Sequence, residues 1–164
     1  MDRSKERQLV DSWLKAVGQE VGQEFQLDDN GICVIDYKDS LTIIVEVPDN
    51  GRGYYIYSPL TTIDVSQNDL TIPLRALSLN LFQVETGGGT LSYDESTSEI
   101  VFSFLDQIEG RDTASFKSVI NNFVTLSLKL KKDLSSPSEP KKALGSEKEK
   151  PARQPFSMQG GLQV

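Results

Sequence analysis

Cys33 is the side chain in this sequence best suited to act as a nucleophile, and it has no partner to activate it. A thiol attacks as its thiolate, which needs a neighbouring base or a cationic setting. The 164 residues contain one cysteine and no histidine. That removes the commonest general base near neutral pH and the commonest metal ligand. Cys33 therefore reads as a small buried strand residue. Gly87-Gly88-Gly89 has the glycine content of a phosphate-binding loop. Such a loop needs a Lys-Ser/Thr pair opening a helix after a strand, whereas here Thr90 follows directly with no lysine nearby. The triplet reads as a turn. Asp28-Asp29-Asn30 begins like a calcium loop, but Gly31 comes too early and Asp39 stands where the twelfth-position glutamate belongs. A solvated hairpin entry is the better reading. Asp106, Glu109 and Asp112 could do paired-carboxylate chemistry, yet they fall in a glycine-containing loop expected to be exposed, where nothing would raise a pKa. No catalytic residue and no metal or cofactor site emerges, and a small hydrolase is the weakest reading of the chain.

The elements that would position these residues form one domain's worth of chain. Seventeen basic residues stand against 24 acidic ones, a formal charge of −7. Five of the basic and three of the acidic residues lie beyond position 134, leaving 12 and 21 in residues 1–134, a net −9. Such a body repels phosphate backbones and anionic membranes, so nucleic acid is not an expected partner and basic polypeptide segments are. The polar start MDRSKERQ has no apolar run behind it, and no segment approaches the roughly 20 apolar residues of a membrane-spanning helix. With a lone cysteine, the expectation is a cytoplasmic protein.

Leu9, Trp13, Val17 and Val21, widened by Val10 and Leu14, predict a first helix over residues 4–21 that Gly22 closes. Strands follow at 32–37, 41–47 and 54–58, the last ended by Pro59. A second helix is predicted over 70–82, capped by Asn68 or Asp69, with Pro73 in its first turn. Strands at 90–94 and 99–106 make a hairpin, the second apolar enough to be buried on both faces. Asp112 caps a last helix lined by Phe116, Val119, Ile120, Phe123, Val124, Ser127 and Leu130. Residues 135–164 hold four of the seven prolines and mixed charge, and read as a disordered tail. Their end, FSMQGGLQV, is either a short linear docking motif or inert.

Apolar surface is in excess at two places. Leu70, Ile72, Leu74, Leu77, Leu79, Leu81 and Phe82 occupy most of the second helix's circumference. A helix apolar all round must be covered on each side, and a second copy of the molecule is the natural cover. In the sheet, two helices can cover only one face, so some of Val34, Ile44, Tyr55 and Tyr57 should remain partly exposed, the alternative being a sheet twisted enough for its own helices to hide both faces. A contiguous apolar patch there marks a protein-binding site, and an edge strand beside it could pair with an extended peptide.

The order α-β-β-β-α-β-β-α, with QLVDSWLKAVG, GICVIDYKDSLTIIVEV, LRALSLNLF, GGTLSYDESTSEIVFSF and DTASFKSVINNFVTLSLKLKKDL, resembles the class I chaperones of bacterial type III secretion, the Tir-chaperone-like family, over roughly residues 5–134. The tail is longer than that family usually carries. The resemblance implies an α+β fold, one mostly antiparallel, strongly twisted five-stranded sheet with three helices, in a homodimer of the bacterial cytoplasm without enzymatic activity or nucleotide. It implies binding of the N-terminal segments of secreted effectors and delivery to the secretion ATPase. Dimer contacts would fall on Leu74, Leu77, Leu81, Leu91 and Tyr93. Effector grooves would involve the first helix and first three strands, here Trp13, Leu14, Val17, Val34, Ile44, Tyr55 and Tyr57. A regulatory adaptor that binds a folded partner, with residues 135–164 as tether, is the alternative.

Overall fold

The computed structural model describes residues 3–38, 41–49, 53–67 and 69–136. The tail beyond 136 and Asn68 lie outside these. Helix α1 (Arg3–Val21) is followed by β1 (Ile32–Tyr37), β2 (Leu41–Glu46), β3 (Gly53–Thr62), α2 (Thr71–Leu79), β4 (Thr90–Asp94), β5 (Glu99–Gln107) and α3 (Thr113–Ser135). The five strands form one antiparallel sheet in the order β1-β2-β3-β5-β4. This is the α+β fold expected.

The ends of the elements follow from local chemistry. Past α1, Gly22 takes φ +71°, and the N–H groups of Gly22 and Gln23 bond back to the carbonyls of Gln19 and Gly18. That pairing satisfies two orphan carbonyls of the last turn. Asp112 caps α3 in a reciprocal box with Ser115, each side chain taking up the other's backbone N–H. Pro59 does not end β3. The strand runs three residues further because β2 pairs with it only as far as Tyr57, so the missing N–H falls on an edge-like stretch with a bulge between Pro59 and Thr61.

Helices α1 and α3 cover one face of the sheet. Trp13, Tyr54 and Phe116 meet ring to ring there, with centroids 5.3–6.4 Å apart, and Phe102 stacks on Phe123 at 5.0 Å. The inward rows Cys33–Ile35, Leu41–Ile43–Val45 and Tyr54–Ile56 complete the core. Each large side chain so buried contributes roughly 1.5–3 kcal/mol.

Asp106 departs from expectation. It is the penultimate residue of β5 and is buried, accepting from the Tyr54 hydroxyl at 3.0 Å and from Arg111 Nη2 at 2.7 Å. Burial and that carboxylate push the Tyr54 hydroxyl's pKa well up. The arrangement is a satisfied structural pair that ties the β5–α3 turn to the core. Strand β5 also differs: Leu105 is 56% exposed, because its outward side faces no helix.

Candidate protein-binding surfaces

The outward face of the sheet is left open by all three helices. The ladder aligns Val34 with Ile44, Ile44 with Tyr57, and Tyr57 with Ser103; the next row runs Ile32, Glu46, Tyr55, Leu105. Val34 is 59% exposed, Tyr55 and Leu105 are exposed, and Ile44 and Tyr57 are half-buried by their neighbours. The Tyr57 hydroxyl donates to Glu46 at 3.1 Å; partial burial and that carboxylate raise its pKa to about 12. It stays neutral and pins the two side chains flat along the sheet.

Charge on this face has one sign. The strands carry Asp36, Glu46, Asp94, Glu99 and Asp106 and no lysine or arginine. Asp106 points inward, while the other four stand at outward positions of the pleat. An apolar field whose strand charges are all carboxylates favours a partner with both apolar and basic side chains.

The second surface is a ridge along α2. Asp69 accepts from the Thr71 N–H ahead of the helix, and Pro73 sits in the first turn, where its missing N–H costs nothing. The predicted helix over 70–82 is shorter than expected. It stops at Leu79, and Phe82 and Gln83 then turn into the left-handed region at φ +58° and +55°. Asn80 makes the break: its side chain donates to the Leu91 carbonyl at 2.8 Å and accepts the Leu91 N–H at 2.9 Å. These bonds clamp α2 to β4. Ala76 is buried and Ile72 and Leu79 pack on the core, whereas Leu70, Leu74, Leu77 and Leu81 are exposed at steps of four, three and four. Leu77 is 66% exposed and Phe82 85%. The ridge therefore has one side on its own domain and one side uncovered.

These positions sort the predicted residues. Val34, Ile44, Tyr55 and Tyr57 come together on the open face. Leu74, Leu77 and Leu81 come together on the ridge, with Tyr93 exposed on β4. Four others are covered within the domain. Trp13 and Leu14 are buried in the core, and Val17 is half-buried against it, because α1 spends its apolar stripe on the sheet and α3. Leu91 is buried opposite Phe102. Leu105, Phe82 and Val84 are exposed but lay outside the predicted set. Leu105 was hidden by the continuous apolar run of β5, although period-two alternation from Phe102 would have placed it outward.

No reactive site was found among the described residues. Cys33 is buried, its thiol pKa pushed up by burial first and further by nearby carboxylates. No group of three or more potential metal ligands exists among them. Asp28 accepts from the N–H groups of Asn30 and Ile32, a turn leading into β1. A cleft of about 140 Å³ between β5 and α3, lined by Phe102, Phe104, Val119, Phe123, Leu126 and Thr86, is apolar. No helix among the described residues is long and apolar enough to cross a membrane.

The fold has solved counterparts. A chain of the ExsC–ExsE complex superposes with a TM-score of 0.69 at 14% identity, over 80% of this chain and 98% of that one. A chain of the HopA1–SchA chaperone–effector complex gives 0.60 at 15%, again over 80% and 98%. A chain of the heterodimeric ExoU–SpcU complex, from the type III secretion system of Pseudomonas aeruginosa, gives 0.55 at 15% identity, over 77% and 98%. No curated protein sequence matches significantly. The family model for the Tir chaperone protein (CesT) family matches residues 12–131, from the buried stripe of α1 to the last turns of α3. With the architecture, the open sheet face and the leucine ridge in place over that same span, the chain belongs to the Tir chaperone protein (CesT) family.

Proposed function

We propose that this protein is a type III secretion chaperone that holds the N-terminal segment of an effector protein on the open face of its sheet and delivers it to the secretion ATPase. The observation that carries this is the uncovered face itself: an apolar field around Val34, Ile44, Tyr55 and Leu105, edged by carboxylates, on a domain of a chaperone family. A flat field without a deep pocket suits an extended segment, which gains affinity from several shallow contacts rather than one anchor. A chaperone–effector complex among the similar structures supports the same partner class. The leucine ridge on α2 seats a second copy, so that two sheet faces serve one client. The protein acts by binding and performs no catalysis.

The test is capture of purified N-terminal fragments encoded by neighbouring genes. Fragments that are unfolded alone should bind with a chaperone-to-fragment ratio of two to one, and retain slow-exchanging amides only when bound. Binding of folded domains alone, lost on deleting residues 135–164, would favour the adaptor and overturn this reading.

A further inference from the structure

The open face has a chemically complementary segment in the same chain. Twenty-eight residues follow Ser136, and they carry the complement of that face: Lys141, Lys142, Lys148, Lys150 and Arg153 against three glutamates, then Phe156, Met158, Leu162 and Val164. We propose that residues 148–164 dock on the open face of their own subunit, with Phe156, Met158 and Leu162 against Val34, Ile44, Tyr55 and Leu105 and the basic residues beside Asp36 and Glu46. The segment thereby acts as a built-in competitor.

Two surfaces are apolar enough to receive it, and charge separates them. The α2 ridge lies beside the chain's exit, since Arg75 Nη1 donates to the Ser136 carbonyl at 3.4 Å. Its charges are mixed: Arg75, Lys131 and Lys132 stand with Asp69 and Asp133, and Lys129 is paired with Glu85 at 2.7 Å. A segment led by Lys148, Lys150 and Arg153 gains no net attraction there. The outward sheet positions carry Asp36, Glu46, Asp94 and Glu99 with no cation on any strand. Reach is no obstacle. Nineteen residues separate Ser136 from Phe156, enough to span roughly 65 Å when extended. The folded domain has a radius of gyration of roughly 14 Å. Tethering also raises the local concentration of the segment to the millimolar range, so weak individual contacts suffice.

The docking itself stands apart from the chaperone reading; only its consequence, that a client must displace the segment, rests on it. Competition of this kind would keep the apolar face covered between clients and would select clients that bind more tightly than the tail.

The test uses the full chain carrying Ser157→Cys with a nitroxide on the new thiol. Cys33 is 4% exposed and leaves labelling selective. Backbone amide signals are compared before and after chemical reduction of the nitroxide. The amides of Val34, Ile44, Tyr55 and Leu105 should lose more than half their intensity while those of Leu74 and Leu77 keep theirs. The loss should persist when the labelled chain is diluted tenfold into unlabelled chain, and should vanish when Lys148, Lys150 and Arg153 are all changed to Glu. Uniform intensity, loss centred on α2, loss that disappears on dilution, or loss unaffected by the charge reversal would each overturn the proposal. Client capture is a separate measurement, so the chaperone reading and this one fail independently.

Discussion

Leu74 and Leu77 on α2 and Val34 and Tyr55 on the sheet are all exposed apolar side chains, yet their settings differ. The α2 residues form a narrow ridge of leucines on a helix of nine residues, followed by two consecutive left-handed residues and bordered by charges of both signs. The sheet residues form a broad, flat field on rigid strands, bordered by carboxylates. A ridge can interdigitate with an identical ridge about a two-fold axis, since each leucine finds the gap between its counterparts. A flat acidic field cannot face its own copy without bringing like charges together. On the proposed reading, that difference lets one small domain keep self-association and client binding apart: shape suits one surface to a twin, and charge suits the other to a foreign segment.

The sharpest way to break that division is Leu77→Asp. The aspartate is hydrated in an isolated subunit, but at a two-fold seam two carboxylates would be desolvated without partners. Dimerisation should be lost, so that light scattering reports the 18.2 kDa single chain. The open face of each subunit should still bind a client fragment, more weakly because only one face remains. An intact dimer would remove the ridge from the interface.

Asn80→Ala should have the next largest effect, and it tests whether the ridge depends on a side-chain clamp where the sheet does not. The substitution strands the half-buried N–H and carbonyl of Leu91, at a cost of about 2 kcal/mol. Guanidinium unfolding should show a lower midpoint with an unchanged slope, and dimer affinity should fall with it. A loss under about 0.5 kcal/mol would mean that α2 is held by the packing of Ala76 and Ile72 alone. Client binding per folded molecule should not change.

How far these surfaces could be read from the sequence depended on periodicity. The strands at 32–37 and 90–94 match the predicted bounds, because alternation and flanking turn residues act within a few residues of each other. The excess of apolar surface on Val34, Ile44 and Tyr55 was legible for the same reason. The burial of Trp13 and Leu14 was not legible, because an amphipathic stripe says that a face is covered without saying by what; here α3 and the sheet cover it. The end of α2 was also out of reach. Nothing in Asn80-Leu81-Phe82 forbids another helical turn, and the break comes from a hydrogen bond to Leu91, eleven residues on. Pro59 misled in the opposite sense, since the cost of a missing N–H depends on which neighbour is paired at that position.

Ile44→Lys addresses the other side of the comparison. It places a cation in the middle of the row Val34–Ile44–Tyr57, where an apolar client side chain should sit. Capture of an effector fragment should weaken about tenfold, or about 1.4 kcal/mol, as read by titration calorimetry. The dimer's mass should be unchanged. Undiminished capture would move the client off this face.

Ionic strength should separate the two surfaces without any substitution. Raising salt from about 50 to about 500 mM shortens the screening length from roughly 14 to roughly 4 Å. Binding of a basic, apolar client fragment to the sheet face draws part of its strength from Asp36 and Glu46, so its affinity should fall about threefold. The proposed association of the α2 ridge rests on its leucines, with charges of both signs around them, so the dimer should hold over the same range. Glu46→Gln should flatten the client's salt dependence while leaving the dimer's alone. Equal salt responses at the two surfaces would mean that charge does not sort their partners, and shape would then be left as the only distinction between them.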